Sequence, residues 1–166
     1  MTHVHNAQDS ARYLLSLNGR PSSAAVIVED SQEKAIVVKA NYKDYWTFPG
    51  GMIDAHETPK VAALREVAEE IGLIIKPENV VFRWVAARHS EIVDTYQFIF
   101  ASALEPGMID HIVLQTSEID EWRLVSKDEV LSNNRHYAKA VLLWANNNTE
   151  GYIEQSFTVN FQESSQ

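Results

Sequence analysis

The chain contains no cysteine. That excludes a disulfide scaffold, a thiolate nucleophile and any cysteine-ligated zinc or iron–sulfur site. It also lacks a long apolar run. The longest pieces, such as Ala24–Val28 and Ala140–Ala145, fall far short of the roughly 18 residues of a membrane span, so no membrane partner is expected. The first residues, Met1-Thr2-His3-Val4-His5, carry neither the basic start nor the apolar stretch of a secretory signal. The expected location is therefore cytoplasmic. Cations are scarce: 14 Lys and Arg face 23 Asp and Glu, a formal net charge of −9. A nucleic-acid backbone is bound by clustered cations, so nucleic acid is not an expected partner. A polyanionic small molecule stays admissible, because a bound divalent metal inverts the local sign.

What is present fits one α/β domain over residues 1–166. The 45% hydrophobic and 22% charged content excludes a disordered chain. No internal repeat or low-complexity tract interrupts it. An N-terminal helical segment (1–20) carries Ala11, Leu14, Leu15 and Leu17 on one side of a predicted helix over 6–18; this apolar side is a candidate homodimer surface. Strands are predicted over Ser22–Glu29 and Lys34–Ala40, nearly continuous in apolar residues and so buried on both faces. Tyr45–Phe48 is a short extended piece before the breaker cluster Pro49-Gly50-Gly51. Thr58–Ile71 reads as a helix with Thr58 as N-cap, Pro59 at the first helical position and Gly72 just past the end. Further strands are predicted over Val80–His89, Asp94–Leu104 and Ile119–Val125. Ser126 caps a helical turn over Lys127–Leu131, and a helix is predicted over Tyr137–Asn146. The polar tail, 147–166, has a candidate strand around Ile153–Phe161. Interleaved hairpins and helices predict a mixed sheet with helices packed on it.

The chemistry sits on the Thr58–Ile71 helix. With about 100° per residue, Glu69 and Glu70 fall near −60° and +40° of Glu66, so three carboxylates share one face. Ala62 and Ala63 lie on that side and leave it open, while Val61, Leu64, Val67, Ala68 and Ile71 are expected to face the core. Like charges at this spacing repel, and acids in a last helical turn oppose the dipole. A solvated acidic face is one explanation. A hard divalent cation is the other, since it removes the repulsion and takes substrate phosphates as further ligands.

The surroundings decide between them. Gly51, Glu57, Arg65, Glu66, Val67, Glu69, Glu70, Gly72 and Leu73 fill every defined position of a pattern: Gly, five residues, Glu, seven residues, Arg-Glu-apolar-x-Glu-Glu-x-Gly-apolar. This run resembles the Nudix box, the signature of the Nudix hydrolases. Seven of the positions are single residue types, and a chance match is on the order of one in 10⁸ per starting position. Trp46-Thr47-Phe48-Pro49-Gly50-Gly51 resembles the strand and Gly-Gly loop that enter the box.

The resemblance implies an α/β/α sandwich with a mixed central sheet. It also implies Mg²⁺- or Mn²⁺-dependent attack of water on the pyrophosphate bridge of a nucleoside diphosphate-linked small molecule. On that basis Glu66, Glu69 and Glu70 are implied metal ligands, with the Gly50 carbonyl and Glu57 as further candidates. Glu66 or Glu69 is alternatively the group that orients or deprotonates the water. Arg65 is implied to fix the rotamer of a box glutamate, Glu57 or Glu69. A further acid commonly comes from a later loop in this family; Glu118 is the favoured candidate, ahead of Glu121. Candidate substrate contacts are Lys39 at the end of the second strand, Arg88 at the end of a later one, and Trp46 as a surface for base stacking or a core residue. The zone just beyond the box, Arg88-His89-Ser90-Glu91, lacks the Pro or Tyr that marks ADP-ribose pyrophosphatases or diadenosine polyphosphate hydrolases. The expected activity is therefore MutT-like, (d)NTP to (d)NMP and pyrophosphate. An ADP-ribose or NDP-sugar pyrophosphatase, and a non-catalytic nucleotide sensor, are the alternatives.

Overall fold

A computed structural model describes residues 16–17 and 19–156. The predicted N-terminal helix over 6–18 lies outside the described residues, save Ser16 and Leu17. The strands are β1 (Ser22–Glu29), β2 (Lys34–Ala40), β3 (Gly50–Met52), β4 (Val81–His89), β5 (Thr95–Ala103), β6 (Ile119–Ser126) and β7 (Tyr152–Ser156). The helices are α1 (Pro59–Ile71), α2 (Lys127–Ser132) and α3 (Lys139–Ala145). The strands form one mixed sheet in the order β6-β2-β1-β5-β4-β7, with β3 pairing antiparallel to β1. β1 runs parallel to β5, and β4 runs parallel to β7.

Alternation along the central strands builds two cores. Ala24, Val26 and Val28 of β1, with Ile36 and Val38 of β2, pack on the side that receives Ala62, Ala63, Val67 and Ile71 of α1. Ala25, Ile27 and Val37 point the other way and meet Trp84, Val130 of α2, and Val141 and Trp144 of α3. The architecture is therefore an α/β/α sandwich.

The ends of α1 follow the sequence. Thr58 takes extended dihedrals, and its side chain accepts from the Val61 N–H at 3.4 Å. Gly72 closes the helix in the left-handed region (φ 71°), its N–H donating to the Ala68 carbonyl. The face of α1 differs from the expectation. Val61 is 55% exposed, whereas Ala62, Ala63 and Glu70 are buried with Val67 and Ile71. The buried arc thus includes the carboxylate side. Two alanines without bulk bring the helix close to β1 and β3 and carry Glu66 and Glu70 inward.

The last helix also begins later than predicted. Asn134–His136 form a 3₁₀ turn, and Tyr137 and Ala138 are extended before α3 starts at Lys139. The cause is a clamp on the segment ahead of β3. The Trp46 N–H donates to the His136 carbonyl, and the Ala138 N–H donates to the Trp46 carbonyl. In the tail, β7 covers Tyr152–Ser156; residues 157–161 of the expected strand lie outside the described residues.

Candidate active site

β1 and β2 pair at Glu29↔Ala35 and diverge from there, and β3 occupies the space against β1. Gly51 lies opposite Ala24, directly beneath α1. A Cβ on Gly51 would stand 2.5 Å from Glu66 Oε1; glycine here makes room for a carboxylate. Glu70 is 7% exposed and accepts from the Gly50 N–H at 2.8 Å. Burial is the main reason its carboxyl is pushed up to about 8, helped by the negative charges of Glu66 and Glu118 and opposed by the Gly50 N–H and Lys43. Burial also raises Glu66, against the pull of Arg65.

Arg65 is the organising cation. Its Nε and Nη2 fork onto Glu57, both at 3.0 Å. Its Nη1 donates to Glu66 Oε1 and Glu69 Oε2, both at 2.9 Å, and Nη2 also reaches the Met52 carbonyl. Arg65 hydrogen bonding lowers the Glu57 carboxyl, and these carboxylates hold the guanidinium charged.

Glu66 and Glu70 open into a cavity of about 490 Å³. Tyr42 and Lys43 form part of its rim, and Glu118 lines it beside them. Burial and the charges of Glu118, Glu70 and Glu66 raise the Tyr42 phenol, which places it beside the acids. Arg88, Gln97 and Gln155 line the wall reached across the sheet, and Lys139 lies where α3 begins.

A model of the NUDIX domain family matches residues 19–145. The chain is a Nudix hydrolase. Phosphatase NudJ of Escherichia coli (strain K12) is 32% identical over 116 residues, covering 68% of this chain and 72% of that protein. Among solved structures, a MutT NUDIX hydrolase from Burkholderia pseudomallei superposes with a TM-score of 0.65 at 13% identity, covering 80% of this chain and all of that one. The NUDIX domain of Shewanella oneidensis NrtR, solved with ADP ribose, gives a TM-score of 0.59 at 14% identity, covering 80% and 88%. The protein thus hydrolyses a pyrophosphate bond in a nucleotide-linked substrate.

The predicted residues of this Nudix hydrolase are not all at the cavity. Gly50, Glu66, Glu70, Glu118 and Arg88 line it. Arg65, Glu57 and Glu69 form the ion-pair cluster behind Glu66. Trp46 takes the core alternative: it is 7% exposed, packs in the core with Phe48 and Trp144, and carries the Arg123 guanidinium over its ring. Its backbone clamp to 136–138 holds it there, so it offers no stacking surface. Lys39 does not line the cavity. It sits in register with Glu121 in the β2–β6 pair, and Glu121 itself is exposed and paired with Arg123. Tyr42, Lys43, Gln97, Lys139 and Gln155 also line the cavity, although no motif in the sequence marks them.

Among the described residues no three His, Asp or Glu side chains converge as a metal-binding group; Arg65 draws Glu69 and one Glu66 oxygen to itself. The donor set nonetheless fits a hard cation. Glu70 is a buried carboxylate with a backbone N–H as its hydrogen-bond donor, Glu66 is alongside, and both carry the penalty of burial. Carboxylate oxygens gathered at one cavity suit a hard divalent cation.

Proposed function

We propose that this Nudix hydrolase converts a nucleoside triphosphate and water to the nucleoside monophosphate and pyrophosphate, using a divalent metal, Mg²⁺ or Mn²⁺. The observation that carries this reading is the pairing of buried Glu70 with half-buried Glu66 at a cavity that Glu118 also lines and that bears the cations Lys43, Arg88 and Lys139. When bound, the metal neutralises the phosphates and acts as a Lewis acid toward the attacked phosphorus. Glu66, Glu69 and Glu70 would hold it, with Glu57 and the Gly50 carbonyl as further donors. Glu118 takes the proton from the attacking water. Lys43 and Arg88 neutralise phosphate oxygens, and Arg65 keeps the glutamates in place. The site of action is the cytoplasm; no described helix is long and apolar enough to cross a membrane.

A second reading, hydrolysis of ADP-ribose or an NDP-sugar, draws support from the ADP-ribose complex of the NrtR NUDIX domain. A turnover panel of nucleoside triphosphates, ADP-ribose, NDP-sugars and dinucleoside polyphosphates, with Mg²⁺ and with chelator, separates the two. Metal-dependent release of pyrophosphate from triphosphates is the expected result. Full-rate turnover in chelator or by Glu70→Gln overturns the proposed mechanism. Nucleotide binding without turnover points to a sensor.

A further inference from the structure

The cavity has a polar wall whose two glutamines, Gln97 and Gln155, the hydrolytic chemistry does not use. Ser23 of β1 pairs with Gln97 of β5, and Arg88 of β4 lies between Thr95 of β5 and Gln155 of β7. By strand alternation these residues share a face with Ala25, Ile27, Trp84 and Ile99, which fill the α3-side core. The continuation of a core face would ordinarily stay apolar. Here it turns polar where it meets the cavity. Gln155 is 8% exposed, yet its carboxamide has no hydrogen-bond partner among the described residues, and neither has that of Gln97. The buried Thr95 hydroxyl on the same rung is also unpartnered. Gln97 is half-buried, and both carboxamides line the cavity with their polar ends available to a ligand.

We infer that Gln97 and Gln155 read the edge of the substrate's nucleobase and set base preference. This rests on the triphosphate reading above. A carboxamide presents a donor beside an acceptor, which matches the donor–acceptor edge of a base. The apolar lining of the cavity, Phe48, Ala138 and Ala140, suits a ring face and leaves sugar hydroxyls unpaired. The spacing agrees. Along the rung Met52–Ser23–Gln97, the first glutamine is two strand spacings from β3, about 10 Å, and β7 is about 10 Å further. Gln97 therefore stands about a ribose length from β3, over which Glu66 lies.

The test is kcat/KM for ATP, GTP, CTP and UTP with wild type, Gln97→Leu, Gln155→Leu and Gln155→Glu, each checked by thermal melting. We expect the leucine variants to lose about tenfold or more on the preferred base and less on the others. Gln155→Glu, which replaces donors with acceptors in the same shape, should reorder the bases and covers the case in which Gln155→Leu does not fold. An unchanged base ratio in the folded variants overturns the inference. Failure of wild type to turn over any of the four overturns the triphosphate reading instead.

Discussion

Arg65 has four acids within ion-pair reach, Asp54, Glu57, Glu66 and Glu69. Its planar fork satisfies both Glu57 oxygens while a third nitrogen bridges Glu66 and Glu69. A lysine keeps the charge but has no fork, so it can restrain only part of this group. Arg65→Lys should lower kcat/KM about 10- to 100-fold, as loss of a group that orients metal ligands generally does. It should also raise the Mg²⁺ concentration needed for half-maximal rate. Steady-state kinetics over a metal titration checks this; an unchanged metal dependence rejects the positioning role.

Two elements carry the site, and each makes its own prediction. For α1 the buried arc runs through the alanines, so adding bulk at Ala63 should cost about 1–3 kcal/mol, whereas Val61→Lys on the exposed side should stay within about 0.5 kcal/mol. Urea denaturation of the two variants tests the face assignment, and the reverse order refutes it. For the rim, Asn41 joins two loops: its N–H donates to the Glu118 carbonyl at 2.9 Å and its amide to the Ser117 carbonyl at 2.8 Å. Asn41 thereby holds Glu118 beside Tyr42 and Lys43. In a double-mutant cycle, Asn41→Ala should slow kcat in the wild-type background and add little to Glu118→Gln. Additive losses show that Asn41 does not act through Glu118.

These elements also show what sequence can reveal. The caps of α1 and the buried runs of β1 and β2 were legible because they depend on neighbouring residues alone. The Nudix box was legible because its spacing is rigid. On α1, Val67 and Ile71 are buried and Leu64 packs against the core as hydrophobicity predicts, but Val61 is exposed because close packing on β1 and β3 turns Ala62 and Ala63 inward. Trp46 was ambiguous because its partners, His136 to Ala138, are 90 residues away. Tyr42, Lys43 and Gln155 sit in a loop and a polar tail strand that carry no periodic signal.

At the scale of the whole molecule, Glu70 ties stability to pH. In the unfolded chain its carboxyl titrates near 4.5, and in the metal-free fold near 8. Between those values the folded state binds more protons than the unfolded state, so stability must fall as pH rises through the window. The contribution is fully present below pH 4.5 and lost as pH passes the folded value. Glu57, which is lowered by Arg65, works in the opposite direction, so the useful quantity is the difference from Glu70→Gln. With chelator, wild type should lose stability from pH 5 to pH 8 relative to that variant. Metal requires the ionised carboxylate, so saturating Mg²⁺ should shrink or reverse this difference while adding its own binding energy to the fold. Urea melts at pH 5, 6.5 and 8, with and without Mg²⁺, measure both slopes. A wild-type curve parallel to Glu70→Gln in chelator would show that the buried carboxyl does not govern the pH response. The excess of 23 acids over 14 cations then acts in two ways. Most of it is solvated surface, and under the proposed metal binding the small buried share would couple the fold and the reaction to the same cation.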